Sequence, residues 1–146
     1  MLRFAMFAAS FFVCSAAFAN PVTCGAAKVD ISFAKSAQFP DTVEAILSAS
    51  IGTRSTVLRF DGDIDFIGAE CRKTKEGKTM VVFQAYCGGS ACKDLDNYGI
   101  IDPQDLRVLL VPNDTNRAQA DKIFGSKVAP INKMLPVFEA YKKLFQ

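Results

Sequence analysis

The first 19 residues have the pattern of a secretory signal peptide, which limits what the rest of the chain can become. Arg3 gives a positive start, an apolar run covers residues 4–18, and Ala17-Phe18-Ala19 has the small-x-small form that signal peptidase recognises. The run is shorter than the roughly 20 apolar residues that cross a bilayer. We expect cleavage after Ala19, a single mature domain over residues 20–146 without a membrane span, and a periplasmic or secreted location.

Four cysteines remain after that cleavage: Cys24, Cys71, Cys87 and Cys92. An even number in a small exported domain indicates two disulfides, for which the sequence allows three connectivities. The short spacing favours a local Cys87–Cys92 ring, which leaves Cys24–Cys71 to tie the mature N-terminus to the sheet. A zinc site is the alternative use, but no C-x-x-C pair is present. We expect no metal and no cofactor.

A helix is predicted near the start of the mature domain. Asp41-Thr42-Val43-Glu44 resembles a capping box, with the acidic N-cap answered by Glu three residues later. Val43, Ile46 and Leu47 then lie on one helical face, and Gly52 stands where the helix would stop. We therefore expect an N-terminal helix that begins at about Asp41 and ends before Gly52.

The remaining patterns predict an antiparallel sheet followed by helices. Asp61-Gly62 has the form of a two-residue hairpin turn between two strands. An apolar stripe in the tail, from Ile131 through Phe138 and Tyr141 to Phe145, has helical spacing. Strands are expected at 29–33, 56–60, 63–67, 79–87 and 106–111, and helices at about 113–124 and in the tail. The fold class is thus α+β: about four to five strands, an N-terminal helix, one or two C-terminal helices and two disulfides.

Composition excludes several classes of function. The chain contains no His, which removes Ser-His-Asp and Cys-His catalysis, His-ligated metals and imidazole proton transfer. The whole chain has 17 basic and 15 acidic residues, and Arg3 is the one charge in the signal segment, so the mature net charge is +1. A nucleic-acid binder would carry a basic stripe, so we expect no nucleic-acid partner.

Two motifs with chemical meaning are both weak. Ser90-Ala91-Cys92-Lys93 has the Ser-x-x-Lys form of penicillin-interacting enzymes, but the partner motifs of that class are missing. Asp61, Asp63 and Asp65 have the spacing of the start of an EF-hand loop. That loop needs Gly at its sixth position and Glu at its twelfth, where this chain has Phe66 and Arg72. We expect no catalytic residue and no calcium site.

The segment from Cys87 to Pro103 is the strongest candidate for a partner-binding loop. Its glycines and small residues let the backbone approach a partner closely, and a disulfide would reduce the entropy lost on binding. The alternative is a stapled turn with only a structural role. The polar and aromatic residues that follow the ring would supply further contacts. The predicted contact residues are Gly88, Gly89, Ser90, Ala91, Lys93, Asp94, Asp96, Asn97 and Tyr98.

The order of a helix, strands, a C-x4-C loop and another strand is similar to that of Ivy-type periplasmic lysozyme inhibitors. The resemblance covers residues 40–111 in outline, and it implies that the loop between Cys87 and Cys92 plugs the lysozyme active site. The loop of that family carries a His where this chain reads Gly-Gly-Ser-Ala, so no functional residue is carried over.

We therefore expect a non-enzymatic binding protein with a protein partner. Its task would be to inhibit a cell-wall-cleaving enzyme, as a lysozyme inhibitor or an immunity protein, through the loop from Cys87. The alternative is a non-catalytic accessory or structural component of an envelope secretion or conjugation system.

Overall fold

Buried and exposed side chains alternate through most of residues 27–51. The structure is a computed structural model that describes residues 16–17, 21–62, 64–92 and 96–146. The alternation reflects a sheet with one face on the core and one face in solvent. Its strands are β1 (Ala16–Ala17), β2 (Val22–Cys24), β3 (Ala27–Lys35), β4 (Val43–Ile51) and β5 (Arg54–Asp61). All pairs are antiparallel: β3 pairs with β1, β2 and β4, and β4 pairs with β5.

A second antiparallel sheet follows from residue 66. The strands are β6 (Phe66–Lys73), β7 (Thr79–Tyr86), β8 (Gly99–Ile101), β9 (Val108–Leu110) and β10 (Leu135–Pro136). Their order in the sheet is β10-β6-β7-β8-β9, and β7 is buried on both faces from Met80 to Ala85. A run buried on both faces is mostly apolar instead of alternating, because neither side meets water.

The main core lies between the two sheets. Ile31, Phe33 and Leu47 of the first sheet share one buried cluster with Val81 and Phe83 of the second. The other face of the second sheet is covered by α1 (Arg117–Phe124) and the segment after it, which supply Phe124, Val128 and Ile131 to a separate buried cluster. The second helix, α2 (Val137–Phe145), packs against β3 and β4. Among the described residues, no helix has the length and apolar character that a membrane crossing would require.

The predicted α+β class is wrong, because the described chain is mostly antiparallel β with two short helices. The predicted N-terminal helix is strand β4: Val43, Ala45, Leu47 and Ala49 are buried in turn, whereas the residues between them face outward. Asp41 has a φ of 58° in the loop before β4, so it is a turn residue rather than an N-cap.

The predicted hairpin at Asp61-Gly62 is also wrong. Strand β5 ends at Asp61 and pairs only with β4 in the first sheet, and β6 begins in the second sheet at Phe66. The chain therefore crosses from the first sheet to the second at the point where the turn motif predicted a hairpin within one sheet. A two-residue hairpin loop instead joins β4 to β5 at Gly52-Thr53, where Gly52 has a φ of 56°.

Several sequence predictions are confirmed. The strands predicted at 29–33 and 79–87 are β3 and β7, and α1 ends at Gly125, which takes the left-handed conformation of a helix C-cap. The tail is helical only after Pro136, because Leu135–Pro136 pairs with β6. Both predicted disulfides are present, and Cys24–Cys71 joins β2 of the first sheet to β6 of the second.

Candidate functional site

The ring closed by Cys87–Cys92 follows directly after the buried strand β7. Residues 88–91 are all exposed, and the Cys92 N–H donates to the Gly89 carbonyl at 3.0 Å, which makes a turn within the ring. A side chain at Gly88 would place its Cβ 2.7 Å from a ring carbon of Phe66. The ring is therefore a short exposed tip whose base fits closely against an aromatic side chain.

Asp65 fixes that base from outside the ring. Its carboxylate accepts a hydrogen bond from the Gly88 N–H at 2.6 Å, and its own N–H donates to the Tyr86 carbonyl at 2.9 Å. Its carbonyl accepts the Val137 N–H, at the start of α2, at 2.8 Å. One residue thus ties together the ring, the end of β7 and the first turn of α2.

The described residues of the predicted loop after the ring do not form one exposed surface. The Tyr98 ring is fully buried, and its hydroxyl donates to the Val128 carbonyl at 3.1 Å. Burial raises the pKa of Tyr98, so this hydroxyl keeps its proton and remains a donor. Asn97 is also buried. These two side chains belong to the core, so Tyr98 cannot be the aromatic anchor that the sequence suggested.

The remaining predicted contacts have separate positions. Asp96 is half-buried beside Arg117, with 3.9 Å between its Oδ1 and the Arg117 Nη1. Lys93 and Asp94 lie outside the described residues, as does Asp63 of the predicted carboxylate triplet. Of the predicted contact residues that the structure describes, Gly88, Gly89, Ser90 and Ala91 share the exposed tip.

Sequence reasoning missed the aromatic face of α2. Phe138 is 64% exposed and Tyr141 is 38% exposed, and their rings lie 6.5 Å apart and nearly parallel. Both rings belong to the apolar stripe of the tail, but the residues of α2 that are buried are Val137 and Ala140, which belong to the main core. The sequence contains a pattern that indicates this buried face, because Val137, Ala140 and Leu144 have the i, i+3, i+7 spacing of one side of a helix.

The ring and α2 belong to the same end of the molecule. The Val137 N–H and the Gly88 N–H are both bonded to Asp65, so the first turn of α2 begins beside the base of the ring. Lys142 lies next to Phe138, with its Nζ 4.8 Å from the ring centroid, and pairs with Glu139 at 2.7 Å. The helix that begins beside the base of the small exposed tip thus carries exposed aromatic side chains, which are enriched in protein interfaces.

Two carboxylates in and near this end have structural partners. Within the part of the chain that the structure describes, no group of three Cys, Asp or Glu side chains is placed to hold a metal ion. The Asp61 carboxylate accepts the Ser36 hydroxyl at 2.8 Å, and the Asp65 carboxylate holds Gly88. Both described carboxylates of the triplet thus have structural partners.

Comparisons with known protein families, with curated proteins and with solved structures found no match to this chain. The similarity to Ivy-type inhibitors, which was drawn from element order and the C-x4-C loop, therefore stays a hypothesis.

Proposed function

We propose that this protein is an exported, non-catalytic inhibitor of a cell-wall-cleaving enzyme and that the ring from Cys87 to Cys92 enters the cleft of that enzyme. The observation that carries the proposal is the exposure of residues 88–91 on a tip clamped by a disulfide and by Asp65. A clamped loop loses little conformational freedom on binding, so more of the contact energy appears as affinity.

The aromatic face of α2 supports a protein partner. An exposed Phe138 beside an exposed Tyr141 gives α2, which begins beside the base of the disulfide ring, an apolar surface of the kind that is enriched in interfaces. Small residues at the tip would fit a narrow cleft, while the aromatic side chains of α2 would contact the enzyme surface around that cleft. This division of roles fits an inhibitor that blocks a substrate groove.

The test is inhibition of peptidoglycan lysis by purified mature protein, against a panel of lysozymes, lytic transglycosylases and cell-wall amidases. We expect the wild type to inhibit at least one of these enzymes. Ser90→Arg should weaken that inhibition by roughly 30-fold or more, because a bulky cation at the tip cannot enter the cleft.

Ser55→Arg is the matched control, since Ser55 is an exposed serine on β5, in the first sheet. This variant should inhibit as well as the wild type. The proposal is wrong if no enzyme of the panel is inhibited, or if both arginine variants weaken inhibition equally.

A further inference from the structure

A cavity of about 380 Å³ lies at a place to which neither the ring nor α2 contributes. It is bordered by the turn between β6 and β7, by the end of α1 and by the loop and strand at residues 102–109, and it is partly open to solvent. Its volume is at the small end of the range of about 300–1,000 Å³ that is typical of ligand pockets. The cavity is large enough for a small organic molecule.

The floor of the cavity is apolar. Met80 and Phe124 line it, and both are buried, at 7% and 4% exposure. Leu109 and Ile123 complete the lining from β9 and α1, and both are half-buried. Most of the other lining residues are polar or charged, so a ligand would meet apolar side chains at the floor and polar groups around it.

Three cationic side chains surround that floor. Lys78 comes from the β6–β7 turn, Arg107 from the loop before β9, and Lys122 from the last turn of α1. The Lys122 backbone carbonyl accepts the Gly125 N–H, but the Lys122 side chain has no hydrogen bond or ion pair with another described residue. Three separate elements thus bring positive charge to one cavity with an apolar floor.

The two carboxylates of the lining do not balance these charges. Glu76 pairs with Lys78 at 3.7 Å, and both side chains are more than two-thirds exposed, so the pair is weak. Asp102 accepts the Gln104 N–H at 2.9 Å and holds its own loop. Asp105, which lies outside the lining, pairs with Arg107 at 3.7 Å, and both side chains are more than half exposed, so this pair is weak as well. The lining itself has a net charge of +1 and favours an anionic group.

Backbone hydrogen bonds hold the walls in place. The Lys75 N–H donates to the Phe124 carbonyl at 2.8 Å, which fastens the β6–β7 turn to the end of α1. The Asp102 N–H donates to the Arg107 carbonyl at 2.9 Å, and the Leu106 N–H donates to the Asp102 carbonyl at the same distance. The cavity is thus formed before any ligand arrives, which favours binding.

We propose that this cavity binds a small organic anion, in which an apolar body lies on Met80 and Phe124 and a carboxylate or phosphate meets Arg107 and Lys122. This site would work independently of the ring.

The test is an NMR titration of the mature protein with naphthalene-2-carboxylate, 2-naphthyl phosphate and the neutral naphthalene-2-methanol. We expect saturable shifts for the two anions, centred on Met80, Leu109 and Phe124, and at least tenfold weaker binding of the neutral compound. The ratio between the two anions distinguishes a carboxylate site from a phosphate site.

Charge reversal supplies the matched variants. Lys122→Glu should weaken binding of both anions at least tenfold, whereas Lys127→Glu, which changes an exposed lysine outside this lining, should not. The proposal is overturned if neither anion gives saturable shifts at the cavity, if the neutral compound binds equally well, or if the two variants behave alike.

Discussion

Glu70 and Arg72 of β6 form a clamp on the segment that covers the second sheet. Glu70 accepts hydrogen bonds from Arg72 Nη2 at 2.6 Å and from the Asn132 N–H at 2.7 Å, and Arg72 donates to the carbonyls of Ala129 and Pro130. Burial raises the pKa of Glu70, but these hydrogen bonds and the charge of Arg72 outweigh it. The net pKa therefore lies below the ordinary value near 4.5.

The clamp predicts a pH-dependent stability. A carboxylate with a lowered folded-state pKa stabilises the fold above its ordinary pKa, and this contribution is lost as the pH falls through the folded value. Glu70→Gln should therefore lower the free energy of unfolding by about 1–3 kcal/mol at pH 7 and by clearly less at pH 3. Urea unfolding of both proteins at the two pH values measures this. An equal difference at both pH values would contradict the assignment.

At the scale of elements, the sequence predicts strands best where its hydrophobic pattern fits a strand alone. The alternation at 29–33 and the long apolar run at 79–87 predicted β3 and β7. Strand β4 was mistaken for a helix because Val43, Ile46 and Leu47 also fit helical spacing. Pairing with β3 and β5 on both sides decided its conformation, and a single-segment pattern cannot contain that information.

The two disulfides should contribute unequally to stability. The Cys87–Cys92 ring closes only a few residues, so removing it with paired Cys→Ala substitutions should cost about 2 kcal/mol and leave the protein folded. Cys24–Cys71 spans 47 residues, so the same change there should cost about 4 kcal/mol. Circular dichroism and urea unfolding of the two double variants test this. A ring variant that unfolds, or two equal losses, would contradict it.

At the scale of the whole molecule, the sequence predicted the two disulfides but not the two facing sheets. The chain leaves β5 for β6 after Asp61-Gly62, where the local motif favours a hairpin. The turn motif therefore predicts one continuous sheet instead of a crossing between two sheets. The candidate site was predicted in part. The exposed tip at residues 88–91 follows from its composition, whereas the burial of Tyr98 and the exposure of Phe138 depend on packing between distant segments.

The most direct test of the central claim, that the ring contacts a cell-wall-cleaving enzyme, is photo-crosslinking in the cell envelope. The photoreactive residue benzoylphenylalanine would replace Ala91 at the exposed tip or Ser55 on β5 as a control. We expect a light-dependent adduct with a cell-wall-cleaving enzyme from position 91 and none from position 55, with mass spectrometry identifying the partner. Equal adducts from both positions, or adducts from position 91 only with components of a secretion or conjugation system, would contradict the account.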